Sequence, residues 1–236
     1  MKKLNKKITV ITNIILTIVL CAVFTVSFMP QDATPIYGGQ DIKAIYNGNR
    51  ENAKISLMFN VYENTDIVNS IVDVLDEFNV KATFFVGGCW ADDNSETLIR
   101  IIKSGHELAN HGYFHLDHKQ IDYEKNKQEI YLTGVVVRAL CGAETKLFAP
   151  PSGSYSDVTL KVADELGYKV IMWSKDTIDW RDKDSSKVFA RATNGCTNGD
   201  LVLMHPKEHT LSALPNILDY YNKVGLKVVC VSENIA

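Results

Sequence analysis

His111 and His115 stand four residues apart in the stretch Gly105 to His118, GHELANHGYFHLDH, behind a short strand-like segment. On one turn of helix, or a tight loop that imitates one, positions i and i+4 share a face with Cβ atoms about 5–6 Å apart, close enough for two imidazoles to hold one metal ion. The same letters also arise by chance as ordinary loop histidines, so the pair needs support from the rest of the chain. WSKDTIDW, Trp173 to Trp180, sets Asp176 and Asp179 three apart beside an indole, and an Asx-turn with a gap-filling Trp fits it as well as a site does. LVLMH, Leu201 to His205, delivers a histidine at the end of an apolar strand, where a carboxylate partner would make it a general acid near neutral pH. APPSG, Ala149 to Gly153, is a rigid turn whose glycine permits close approach.

The elements that must position these groups alternate. ISLMF, Ile55 to Phe59, is a compact apolar run of the kind a buried strand shows. Asp66 to Phe78 follows with Ile67, Val68, Ile71, Val72, Leu75 and Phe78 on one helical stripe. Strands are then expected at Ala82 to Val86, Glu107 to Ala109, Leu147 to Ala149, Lys169 to Trp173, Leu201 to His205 and Leu226 to Val231. Helices are expected at Ser95 to Ser104, Asp122 to Leu140, Asp157 to Leu166, Lys187 to Thr193 and Leu211 to Val224. Such alternation implies an α/β fold, a parallel sheet covered by helices. Asn60 follows the first strand, His111 the third, Pro150 and Pro151 the fourth, Asp176 and Asp179 the fifth, and His205 ends the sixth. Chemistry in barrels and open α/β sheets is built at those carboxyl ends, which lifts the histidine pair above a chance match.

Lys2, Lys3, Lys6 and Lys7 precede an uncharged run from Ile8 to Met29, long enough to cross a hydrocarbon layer of about 30 Å. That run exceeds the about 7–15 apolar residues of a signal peptide, and no Ala-x-Ala precedes Pro30, so residues 1–29 are expected to form an uncleaved membrane anchor rather than a signal sequence. The body would then lie outside the cytoplasm, with residues 30–53 as a Gly- and Asn-rich linker carrying a short edge strand near Ala44 to Tyr46, and residues 54–236 as one globular domain. The chain carries 25 Lys and Arg against 28 Asp and Glu, and the four anchor lysines are among the 25, so the exported part is acidic. A nucleic-acid partner would want the opposite sign. Cys89, Cys141, Cys196 and Cys230 show no C-x-x-C spacing, which argues against a thiolate zinc site or a redox pair.

GHELANHGYFH, FAPPSGSY, DTIDW and LVLMH, in this order, resemble the second to fifth motifs of the polysaccharide deacetylases with a NodB-homology domain, the family-four carbohydrate esterases. SLMFNV, KATFF and VLMHP are similar to the sporulation-associated, membrane-anchored branch. The likeness runs from about Lys54 to the end. It implies a distorted (β/α) barrel, a divalent metal with zinc the expected ion, and a hydrolase removing N-acetyl groups from peptidoglycan or a related N-acetylated glycan. It further implies His111 and His115 as metal ligands, His205 as catalytic acid, Asp179 as the carboxylate that tunes it, and Pro151, Tyr155 and Trp180 against substrate. Three positions depart from the pattern: Asn60 and Val61 stand where two adjacent aspartates, base and metal ligand, are usual, and Ala149 stands where an arginine steadies the base. Gly112 also replaces the usual Ser or Thr. Asn60 cannot accept a proton from water and Val61 cannot bind a cation, so the alternative is an impaired deacetylase fold that binds cell-wall or spore-cortex glycan. Glu63, Asp66, Asp117 and His118 are the candidates for a substitute ligand.

Overall fold

The structure is a computed structural model that describes residues 17–18, which are helical, and residues 42–236. The expected anchor, apart from those two positions, and the linker up to residue 41 lie outside the described residues. Among the described residues no helix is long and apolar enough to cross a membrane.

Residues 42–236 form one compact unit. Its elements run β1 (Lys54–Val61), α1 (Thr65–Glu77), β2 (Thr83–Val86), α2 (Gly88–Asp93), α3 (Ser95–Lys103), β3 (Glu107–Asn110), α4 (Tyr123–Cys141), β4 (Leu147–Phe148), α5 (Asp157–Glu165), β5 (Lys169–Val170), β6 (Lys175–Asp176), α6 (Ser185–Thr193), β7 (Leu201–Met204), α7 (Glu208–Lys223), β8 (Lys227–Val228) and α8 (Val231–Asn234). The strands are all parallel, in the order β5-β4-β3-β2-β1-β7-β6, with β8 on the start of β1. This is a curled half-barrel. Segment 42–53, read from sequence as linker, packs onto the unit: Ile45 bridges Ile171 and Asn47 bridges Asp200. The short strand β6 and the helices α2 and α8 were not expected, because runs this short carry no periodicity to read.

Central β1 is buried on both faces, which is why its sequence is apolar almost throughout. Successive side chains of a strand point to opposite faces. Ile55, Leu57, Phe59 and Val61 therefore join the large cluster that includes Val68, Ile71 and Leu75 of α1, whereas Met58 joins Phe85, Ala109, Ala149, Ile171 and Leu203 in the second, inner cluster. Asn60 shares the face of Met58 and comes next along the strand, so it emerges where the inner core ends and a cleft begins.

A candidate active-site cleft

That cleft, of ≈ 310 Å³, is lined by Asn60, Tyr62, His111, His115, Ser152, Trp173, Asp176, Trp180, Leu203 and His205. Six of the residues singled out in the sequence, Asn60, His111, His115, Asp176, Trp180 and His205, thus meet in one place, at the carboxyl ends of β1, β3, β6 and β7. Asn60 is 2% exposed and its Oδ1 has no hydrogen-bond partner. The side chain of Val61 is turned away, fully buried in the helix-side core.

His111 and His115 lie on a loop, not a helical turn, and His115 adopts a left-handed φ of 57°. Their ring centroids are 5.1 Å apart. His111 Nδ1 donates to Ala149 O at 2.7 Å, which directs Nε2 away from that carbonyl, and burial holds the ring well below its ordinary pKa, at about 3. Burial lowers His115 as well. Helix α4 supports the loop from behind. Glu129 Oε2 accepts from Phe114 N at 2.7 Å, and Asn126 Oδ1 accepts from His118 Nδ1 at 2.7 Å while its Nδ2 donates to three backbone carbonyls. Gly112, between the histidines, has φ +75°, and a Cβ there would sit 3.2 Å from His118 Nε2 and 3.4 Å from Glu129 Oε2. Gly112→Ser, which restores the residue type of the resemblance, is therefore expected to destabilise the domain by about 1–3 kcal/mol in urea denaturation. Unchanged stability would show that the loop readily relaxes to a negative φ.

On the opposite wall, Asp179 organises His205. Its Oδ1 accepts from His205 Nδ1 and its Oδ2 from His205 N and Thr210 Oγ1, each at 2.7 Å. Its own carbonyl accepts from His209 Nε2, also at 2.7 Å. Burial pushes the Asp179 pKa up, yet the hydrogen bonds and charge of His205, with Thr210, outweigh it and hold the carboxyl below its usual range. With Nδ1–H committed to Asp179, His205 presents Nε2 to the cleft, the orientation a proton donor needs.

The donor set does not make a zinc site by itself. A catalytic zinc takes three protein ligands. Among the described residues no group of three His, Cys, Asp or Glu side chains converges, and His111 and His115 lie together as a pair. None of the four substitutes joins them: Glu63 pairs with Lys207, Asp66 lies in the first turn of α1, Asp117 accepts from Ser154 Oγ, and His118 is buried against Asn126. Tyr62, which the sequence did not point to, lies against His115 with ring centroids 4.3 Å apart and the rings tilted by 45°, and Trp173 adds a second aromatic wall. Tyr62 stands two positions after Asn60, just past the end of β1, and lines the same cleft, as the period-two alternation of β1 carried on by one residue would place it. Of the three residues assigned to substrate, Trp180 lines the cleft and is 55% exposed. Pro151 is buried beside Gly112, outside the lining, and Tyr155 also sits outside it, sharing a 2.9 Å hydrogen bond with Tyr46. Ala149 puts a methyl into the inner core, and only its carbonyl serves the site.

A family model described as polysaccharide deacetylase matches residues 47–171, more than half of the chain. The chain belongs to the polysaccharide deacetylase family. Among its relatives, a Bacillus cereus peptidoglycan-N-acetylglucosamine deacetylase is 32% identical over 169 residues, covering 69% of this chain and 79% of that protein. The uncharacterized protein YlxY of Bacillus subtilis is 31% identical over 189 residues, and the match covers 80% of this chain but only 59% of YlxY. The crystal structure of BA3943, described as a CE4 family pseudoenzyme from Bacillus anthracis, superposes with a TM-score of 0.81 at 30% identity, covering 84% of this chain and 70% of that one. A BA3943 mutant described as having restored enzymatic activity superposes equally well, at 28% identity. The parallel half-barrel is therefore that of the polysaccharide deacetylases, as the resemblance implied.

Proposed function

We propose that this polysaccharide deacetylase holds an amino-sugar glycan of the cell wall or spore cortex in its cleft with little or no hydrolysis. The observation that carries this reading is the end of β1, where Asn60 occupies the position of the base and Val61 points into the core, leaving two imidazoles without a carboxylate. Tyr62, Trp173 and Trp180 supply the aromatic faces on which sugar rings stack, and Asn60 Oδ1 supplies a buried acceptor for a sugar donor. The purified protein is expected to bind peptidoglycan fragments without releasing acetate and to hold well under one zinc per chain. Stoichiometric zinc together with acetate release would overturn the proposal. His111→Ala and His115→Ala are expected to abolish whatever divalent-metal binding remains, as elemental analysis would show, with the fold kept.

A second reading, a metal-dependent N-deacetylase, draws on the intact Asp179–His205 pair, which a binding module does not need. On that reading Asn60→Asp, nearly isosteric, returns a base and raises acetate release by about 10²–10⁴-fold. The restored activity described for the BA3943 mutant makes the trial reasonable here. No change on Asn60→Asp would leave binding as the function. For location, we carry forward the lysine-preceded apolar run: residues 1–29 hold the chain in the membrane with its body outside. Protease added to intact protoplasts should digest the body, and a protected full-length chain would reverse the orientation.

A further inference from the structure

We propose that the cleft selects the free-amine form of the glycan, a de-N-acetylated amino sugar, over the acetylated form. The inference rests on the glycan-binding reading above and adds which state of the sugar nitrogen is bound. The charge balance leads to it. Among the described residues no Lys or Arg lines the cleft, whereas Asp176 does, with Asp179 directly behind His205. Two nearby cations are already paired, Arg181 with Asp182 and Lys207 with Glu63, and the Arg181 guanidinium lies over the Trp180 ring. In a site with a complete ligand set a dication would offset these carboxylates, but here the donor set stops at two imidazoles. The surplus is a negative field in a pocket with low-dielectric aromatic walls, which attracts a cation.

Hydrogen-bonding capacity points the same way. Asn60 Oδ1 is buried, unpartnered and at the cleft floor, and Asp176 accepts from Ile178 N through Oδ1 at 2.7 Å and forms no salt bridge among the described residues, Arg181 acting on it only at longer range. These oxygens accept hydrogen bonds. A sugar ammonium brings three N–H donors and a positive charge, which suits acceptors and the π faces of Tyr62, Trp173 and Trp180 together. An acetamide brings one N–H, a carbonyl that these two acceptors cannot pair with, and no charge. The reaction that must supply such a ligand is N-deacetylation of the same glycan, so this chain would read the product of a catalytically competent enzyme.

The test compares binding of a β-1,4-linked glucosamine tetramer and of its fully N-acetylated counterpart to the full-length protein in detergent, by calorimetry at fixed ionic strength. The glucosamine tetramer is expected to bind at least about tenfold more tightly. Asp176→Asn should reduce that preference to within about threefold, and Glu77→Gln, an exposed change at the far end of α1, should leave it intact. Equal or tighter binding of the acetylated tetramer would overturn the inference while sustaining glycan binding. Loss of preference in Glu77→Gln as large as in Asp176→Asn would reduce it to non-specific attraction of a polycation and overturn it too. Nα-acetyl-lysine amide, the same ammonium without a sugar ring, should not compete at equal concentration, and competition matching the tetramer would remove the sugar from the assignment. Binding of neither tetramer would sink the glycan-binding reading itself, and this inference with it.

Discussion

Val61→Asp is expected to destabilise the domain by about 3–5 kcal/mol, lowering its melting temperature by on the order of 10 °C. Val61 is fully buried in the helix-side core and pairs in register with Val86 of β2, so an aspartate there carries a carboxylate among apolar neighbours with no donor facing it. Asn60→Asp, one residue earlier, is expected to cost much less, because its side chain already lines the cleft and its Oδ1 already lacks a partner. The contrast between adjacent positions isolates strand geometry from residue chemistry. A second arm adds zinc to the Val61→Asp variant. If the end of β1 rotated to bring residue 61 to His111 and His115, zinc would raise the melting temperature by mass action, and the apo cost would be recovered. A melting temperature that falls and ignores zinc is the result the fold dictates.

The same strand shows how far the residues themselves could be read. The positions of Asn60, His111 and His205 at strand ends followed from alternating elements, Asp179 follows the unexpected β6, and the half-barrel brings all four to the carboxyl end of the sheet. What the letters obscured was direction. Reading residues 60 and 61 as adjacent positions for a base and a metal ligand of one site hides the fact that neighbours on a strand face opposite ways, and it is Tyr62, not Val61, that lines the cleft with Asn60. The supports of the histidine loop were hidden for a different reason. Asn126 and Glu129 are fully buried polar residues on α4, where apolar spacing locates a buried face but not a polar group seated in it. Ala149 acts through its carbonyl, and a backbone group leaves no trace in residue type.

Removing Asp179 is expected to be the most damaging change in the cleft. Its carboxylate accepts three hydrogen bonds, from His205 Nδ1, His205 N and Thr210 Oγ1, and the residue is 1% exposed. Asp179→Ala leaves those three donors without their acceptor in a place water barely reaches, at a cost of about 3–5 kcal/mol. Asp179→Asn keeps the shape but swaps one acceptor oxygen for an NH₂ that must face a donor, so it should recover only part of the loss. The pH dependence separates this electrostatic role from simple packing. The folded-state pKa of Asp179 lies below its ordinary value of 3.8, so its contribution is fully present above that value and is lost as pH falls through the folded pKa. Wild type should therefore shed stability steeply below about pH 4, and Asp179→Ala, already lacking the contribution, should show a shallower acid limb. Guanidinium unfolding of both proteins at pH 7 and pH 3 measures this directly. A gap between them that is as wide at pH 3 as at pH 7 would mean that Asp179 fills space, and that His205 is held in the cleft by its neighbours rather than by this carboxylate.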